Sequence, residues 1–428
     1  MVSSIAAGCT RTYDENTLTM QTALAEFVRS TPEGREADAI LRKCVHCGFC
    51  TATCPTYLLL GDENDGPRGR IYLMKQALEG QAITDKTRVH LDRCLTCRAC
   101  ETTCPSGVQY GRLLDIGRKL VEEKTTRPVA QSVKRRVLAE VLPRRFLFAA
   151  LLRLGRFMRP FLPPALAEKI PASVSSTGAW PAPRHARKML ALAGCVQPSI
   201  SPDINAAAAR VLDRVGISLI EARGAGCCGA LRFHLGYQDG GLADMRALID
   251  RWWPAIERGE VEAIVTTASG CGAAVKEYGH LLRNDTRYSA KAAKVSAMAR
   301  DISEVIAVEF ERLAPLLAKK GGRIAFHPPC TLQHGQSLRG VTEDLLARAG
   351  FDLTPVPDSH LCCGSAGTYS LLQPELSLRL RSNKIAALVS GGPDLVLTAN
   401  IGCQAHLAAG TNLPVSHWIT ALETRLSA

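Results

Sequence analysis

The sequence predicts a multidomain protein of α and α/β class, a helical N-terminal domain followed by two repeated βαβ-type cysteine-rich domains. Three observations predict it. A cysteine run occurs twice near the N-terminus, CVHCGFCTATCP from Cys44 to Pro55 and CLTCRACETTCP from Cys94 to Pro105. The C-terminal part repeats itself at an interval of 135 residues, from Cys195 to Cys330, and keeps four cysteines in place each time. At 428 residues the chain exceeds what one core serves, so two or three domains are expected.

Bulk composition narrows the function classes. Seventeen cysteines would suggest disulfides in a secreted chain, but their clustering at ligand spacings, with no signal peptide, points to metal in a reducing cytoplasm. AAGC ending at Cys9 and LALAGC ending at Cys195 mimic lipid-attachment sites. The first lacks a preceding hydrophobic run and the second lies deep in the chain, so both are discounted. Apolar runs are broken by Arg or Pro before they reach membrane-spanning length, and no transmembrane helix is expected. The net charge of +12 implies an anionic partner or surface. Nucleic acid is set aside, because no helix-turn-helix, RNA-binding or aromatic-stacking motif accompanies the charge.

Taken in order, residues 1–19 read as disordered or as a start-site extension, with Met20 an internal start. A helix over 20–43 then delivers the first cysteine run. Each run reads CxxCxxCxxxCP. Three thiolates two residues apart converge on three irons of a cube, and the fourth, closed off by proline, reaches the partner cube, as in two-cluster ferredoxins. Cys44, Cys47, Cys50 and Cys104 are thereby assigned to one 4Fe-4S cluster, and Cys94, Cys97, Cys100 and Cys54 to the other. Structural zinc, which prefers two CxxC pairs or mixed Cys/His sets, is the weaker reading here. Between the runs, Pro67 and Arg68 enter a helix through Gly80, bringing Arg68 and Arg70 beside an anionic cluster. There they either raise its potential or solvate a helix start. This helical ferredoxin domain covers residues 20–125.

Residues 126–184 form a basic amphipathic helical segment and linker. Within KRRVLAEVLPRRFLFAALLRLGRFMRPFLPPALAEKI, Arg144, Arg145, Arg153, Arg156 and Arg159 alternate with Phe146, Leu151, Leu154, Phe157 and Phe161. Such an element lies on an anionic membrane face or docks a partner subunit, or packs its apolar stripe on its own protein. The linker runs from Pro171 to Arg184.

The remainder divides into a first cysteine-rich module at 185–320 and a second at 321–428. KMLALAGC aligns with RIAFHPPC. Each copy continues through a helix and a second strand to Cys-Cys-Gly, with 31 residues separating the first Cys from the doublet. A buried strand, AIVTTA or LVLTAN, then leads into Gly-Cys. Strand and helix alternation reads as βαβ units with a parallel sheet, and the cysteines sit beyond strand ends, where such sheets build sites. Metal ligation is therefore assigned to Cys195, Cys227, Cys228 and Cys271, and to Cys330, Cys362, Cys363 and Cys403. Four thiolates suit zinc or a further iron-sulfur cluster, and spacing leaves both open.

Two ferredoxin-type runs followed by two CysCysGly modules resemble the iron-sulfur subunits of flavin-linked dehydrogenases and of heterodisulfide reductase. CVHCGFCTATCPTY, DGPRGRIYLMKQALEG, HLDRCLTCRACETTCPSGV, TASGCGAAVKEYG, PDSHLCCGSAGTY and TANIGCQAHL together look like the iron-sulfur subunits of bacterial glycolate oxidases (glycolate dehydrogenases). The resemblance spans nearly everything from Met20 onward. It implies an electron-transfer subunit with two 4Fe-4S clusters that serves flavin-containing dehydrogenase subunits. FAD and the oxidation of glycolate to glyoxylate belong to those partners, and a respiratory quinone is the eventual acceptor. It also implies a cytoplasmic site, peripheral on the inner face of the cytoplasmic membrane. Lactate or glycerol 3-phosphate are rival substrates, because the substrate is bound elsewhere.

The resemblance also exposes a departure. Modules of the heterodisulfide type carry a further Cys three residues after the last one, and Ala274 and His406 stand in those places here. This argues against a thiol/disulfide enzyme. His406 is a candidate replacement ligand; His327, His334 and His360 read as structural or as neighbours of the ligands. No catalytic residue is assigned to this chain.

Overall fold

The computed structural model describes residues 20–161, 174–317 and 321–427. The expected extension at 1–19, the end of the basic segment at 162–170 and the start of the linker at 171–173 lie outside the described residues.

The helix expected over 20–43 is two helices, Glu26–Arg29 and Pro32–Arg42. Pro32 has no amide hydrogen with which to continue a helix and suits the first helical position. Thr31 caps the second helix, its hydroxyl accepting from the Gly34 amide at 3.0 Å. Pro55 and Pro67 open helices Pro55–Leu60 and Pro67–Leu78 in the same way. Helix Asp85–Asp92 leads into the second cysteine run, and Tyr110–Lys124 follows it. This last helix lies so close to Pro67–Leu78 that a Cβ on Gly117 would meet Met74 Sδ at 2.5 Å. Ile40, Met74, Leu78, Leu113 and Leu114 fill the helical core. Among the described residues no strand precedes Arg187.

The basic segment is likewise divided at Pro143, into helices Val129–Val141 and Arg145–Met158. The second of these has no buried residue.

Two four-stranded parallel sheets follow. The first has strands β1 (Arg187–Ala191), β2 (Ile217–Glu221), β3 (Ile264–Thr266) and β4 (Ala299–Asp301), in the order β2-β1-β3-β4. The second has β5 (Arg323–His327), β6 (Asp352–Leu353), β7 (Leu395–Thr398) and β8 (Val415–His417), in the order β6-β5-β7-β8. Every pairing is parallel. The central strands read as near-continuous apolar runs because helices cover both faces. The fourth strands escaped sequence reading, since ARD and VSH are short and carry no apolar run.

The sheets share one apolar core, in which Ile204, Leu212 and Phe310 meet Phe326, Trp418 and Ile419. Polar bonds pin the seam. Ser269 donates its amide to Ala399 O at 3.1 Å, and its hydroxyl pairs with Thr331 Oγ1 at 2.7 Å. His417 Nε2 lies 2.9 Å from Thr267 O. The helical domain docks on both modules. Glu277 receives Arg98 at 3.0 Å and Arg112 at 3.4 Å, Glu36 receives Arg283 at 2.6 Å, and Thr102 Oγ1 lies 2.9 Å from His334 Nδ1.

Candidate metal centres

The two N-terminal runs adopt one backbone conformation. In each, the residues flanking the middle cysteine are left-handed: His46 (φ 53°) and Gly48 (φ 82°) around Cys47, Thr96 (φ 56°) and Arg98 (φ 60°) around Cys97. Three of these are not glycine, and such backbone costs about 1–3 kcal/mol each unless the surroundings over-determine it. The turn gathers three thiols and aims amides at sulfur: Thr96 N donates to Cys94 Sγ at 3.4 Å. Tyr110 Oη adds a bond to the same sulfur at 3.6 Å.

The fourth cysteine of each run sits with the other run's triple. Cys104 lines one cavity with Cys44, Cys47 and Cys50, beside Pro67, Arg68 and Ile71. Burial pushes the Cys50 thiol up to about 11, and Cys44, Cys47 and Cys104 add to the effect. Cys54 instead faces Cys97 and Cys100, whose thiols burial pushes well above the ordinary range. The two ends differ in access. Cys47 is exposed, as are Val45 and Phe49 beside it, whereas Cys94 and Cys100 are buried.

The two arginines occupy different surroundings. Arg70 is 1% exposed and lies beside Cys94 and Cys54; it donates to His90 O at 2.8 Å and to Thr56 Oγ1 at 3.1 Å, and pairs with Asp65 at 3.4 Å. It does not solvate a helix start. Arg68 is half-exposed, bound to Glu63 at 2.6 Å, and faces Cys50.

In both modules the cysteines gather at the carboxyl edge of the sheet. Cys195 follows β1, Cys227 and Cys228 follow β2, and Cys271 follows β3; Cys330, Cys362, Cys363 and Cys403 follow β5, β6 and β7. From the first strand of each sheet the chain steps to one side for the second and to the other for the third, so this is a topological switch point. The thiols neighbour one another in series, Cys195, Cys227, Cys228 and Cys271 in the first module and Cys330, Cys362, Cys363 and Cys403 in the second, where the Cys330 and Cys362 sulfurs are 3.9 Å apart. The glycine of each doublet is required twice over. Gly229 (φ 82°) and Gly364 (φ 88°) are left-handed, and a Cβ would lie 2.5 Å from Gly241 O or 2.7 Å from Ser377 O. Each glycine amide donates to the doublet's first sulfur at 3.4 Å.

Thiol–thiol hydrogen bonding and burial push Cys195 and Cys330 well above the usual thiol range. As free thiols they stay protonated at neutral pH; coordination to a metal is what deprotonates a thiol outright. The donor sets therefore fit metal.

The second set has a buried histidine and a buried lysine among its neighbours. His327, 1% exposed at the end of β5, has no hydrogen-bond partner among the described residues for either ring nitrogen. A ring nitrogen of His327 and the sulfurs of Cys363 and Cys403 all lie within 4.8 Å of one another. His406, the replacement ligand suggested by position, has its Nε2 at 3.2 Å from Ser377 Oγ. His334 is spent on the interdomain seam, with His360 O at 3.0 Å from its Nε2. Lys384, which sequence reading missed, is buried near Cys363 and Cys362 and donates to Asp358 O at 2.7 Å. A lone Lys in the helix Pro374–Val389 gave little signal.

The second N-terminal set abuts the second module. Leu95 and Cys97 pack with Cys330, Cys362, Tyr369, Leu376 and Leu380 in one apolar patch. Against the first module lies instead a cavity of about 200 Å³, whose lining includes Cys97, Arg98, Ala274, Glu277 and His280.

Comparison with known proteins places these features in context. Residues 40–108 match the 4Fe-4S dicluster domain, and residues 189–276 and 324–408 each match the cysteine-rich domain. The glycolate oxidase iron-sulfur subunit of Escherichia coli (strain K12) is 58% identical over 407 residues, covering 95% of this chain and 99% of that protein. The probable glycolate oxidase iron-sulfur subunit of Bacillus subtilis (strain 168) is 29% identical over 414 residues, 90% of this chain and 91% of that one. Lactate utilization protein A of Bacillus velezensis is 26% identical over 242 residues, 54% of this chain and 97% of its own.

Proposed function

This chain belongs to the family of glycolate oxidase iron-sulfur subunits, and from that premise we propose that it is the electron-carrying subunit of a complex oxidising glycolate to glyoxylate. The observation that carries the reading is the succession of thiol sets, from exposed Cys47 through buried Cys94 and Cys100 to Cys330 and Cys362 across a shared apolar patch. Iron-sulfur clusters, when bound, take up and release single electrons. Cys44, Cys47, Cys50 and Cys104 would hold one 4Fe-4S cluster, and Cys94, Cys97, Cys100 and Cys54 the other. The buried guanidinium of Arg70 stabilises negative charge on the second set.

Oxidation of the 2-hydroxy acid takes place on flavin-containing partner subunits, and Val45 and Phe49 around Cys47 form the face they meet. A respiratory quinone is the acceptor. Among the described residues no helix is long and apolar enough to cross a membrane. Peripheral seating on anionic lipid falls to helix Arg145–Met158, where Phe146 and Phe157 are 86% and 75% exposed among arginines.

Co-expression with the flavin subunits tests the reading. The assembled complex reduces a dye acceptor with glycolate, and this chain alone does not; activity of the isolated chain on glycolate would overturn the division of labour. Iron and zinc counts on anaerobically purified chain then separate about eight irons with zinc from about twelve or more.

A further inference from the structure

We propose that His327 is a nitrogen ligand of the metal centre in the second cysteine-rich module, joining Cys363 and Cys403 in a mixed nitrogen–sulfur donor set that the first module does not have. The inference rests on the reading that the module cysteines hold metal.

Three observations carry it. The imidazole is buried to 1% exposure with both nitrogens unpartnered. Leaving such a polar group without a partner costs about 1–3 kcal/mol, so each one in a native fold calls for a physical cause, an unfilled ligand site among them. Secondly, the ring reaches the right place: one nitrogen and the two sulfurs lie within 4.8 Å of one another. A single metal with bonds of about 2.0–2.3 Å bridges such a set after side-chain shifts of about an ångström. Thirdly, His406 at the position of the absent fifth thiolate is already bonded to Ser377, so the vacant donor is filled from a different element, the end of β5.

The first module shows what the position becomes without that role. His327 pairs in register with Thr398 of β7. In the first sheet Ala191 pairs with Val265, so one residue further on Leu192 stands opposite Thr266. Leu192 is buried among Leu190, Val261 and Ile264, a plain core side chain. The same strand end is apolar in one copy and an unsatisfied imidazole in the other, which core packing does not explain.

The test uses the full chain, purified anaerobically as wild type, Cys363→Ser, His327→Leu and His327→Cys. Iron and zinc per chain are counted, and X-ray absorption is recorded at the edge of the metal that Cys363→Ser loses. The wild type is expected to show a nitrogen scatterer at about 2.0–2.1 Å that disappears in His327→Cys while the metal stays bound. In His327→Leu, loss of that metal to a chelator is expected to be faster by roughly tenfold or more. Metal content, release rate and absorption spectrum unchanged in both His327 variants would overturn the proposal, while loss on Cys363→Ser would leave the thiolate reading standing. No metal loss in Cys363→Ser would instead overturn the ligation reading, and this inference with it. Should His327→Leu fail to fold, the wild-type and His327→Cys spectra decide.

Discussion

The sheets β1–β4 and β5–β8 have the same parallel order, the same 31-residue spacing from first cysteine to doublet and the same left-handed glycine after it, yet their thiols have different neighbours. In the first module Leu192, Leu248 and Ile249 are ordinary core. In the second, His327 ends the matching strand and Lys384 sits in the corresponding helix. The second set also packs on Leu95 and Cys97 of the helical domain, whereas that domain meets the first module through ion pairs such as Arg98 to Glu277 around a cavity. Duplication preserved the scaffold that positions four thiols; the buried Lys384 and the contact with Leu95 and Cys97 belong to the second copy.

The sharpest way to break this asymmetry is to disable each doublet in turn. Cys362→Ser is expected to abolish substrate-driven reduction of the acceptor by the assembled complex, whereas Cys227→Ser lowers metal content but leaves measurable turnover. Equal loss in both would make the modules equivalent. Gly229→Ala and Gly364→Ala probe instead what the copies share. Each should lower stability by at least about 1–3 kcal/mol from backbone strain, with the Cβ clash added, and thermal unfolding should show similar losses in the two.

Lys384→Met separates the copies again. It leaves the Asp358 and Ser359 carbonyls without this donor, at about 1–3 kcal/mol, and removes positive charge beside Cys362 and Cys363. A redox titration should find any second-module potential lowered and the N-terminal ones unmoved.

The smallest effects lie at the seams. Thr102→Val removes one hydrogen bond to the second module, worth about 0.5–1.5 kcal/mol. At the first module, burial raises the Glu277 carboxyl, but Arg98 and Arg112 outweigh it and hold the group below its ordinary value. A depressed carboxylate stabilises the fold above its unfolded pKa and loses that contribution as pH falls through the folded value. Protease nicking between the domains should therefore rise below the ordinary carboxylate range in the wild type, and Glu277→Gln should blunt that rise.

Repetition made much of this legible. Two copies of CxxCxxCxxxCP and two of Cys…CysCysGly…Cys announced sixteen thiols and a parallel-sheet duplication, because ligand spacing and strand–helix alternation are local patterns. Boundaries were less legible: Pro32 and Pro143 divide segments that read as continuous, and β4 and β8 are too short and polar to declare themselves. The histidines were not ranked by local pattern. Position singled out His406, three residues after Cys403 in the helix Ile401–Ala408, while the ring with no partner among the described residues belongs to His327 at the end of β5.

What the sequence determined by itself is the placing of sixteen cysteines in four repeated groups and the class of fold that presents them, since these follow from spacing and periodicity along the chain. Only the tertiary structure decided that Cys97 packs with Cys330 and Cys362, that Arg70 and Lys384 are buried beside thiols, and that His327 faces Cys363 and Cys403. Those are contacts between residues far apart in the chain. The first arises from the docking of the helical domain on the second module and the others from packing inside each domain, which no local pattern encodes.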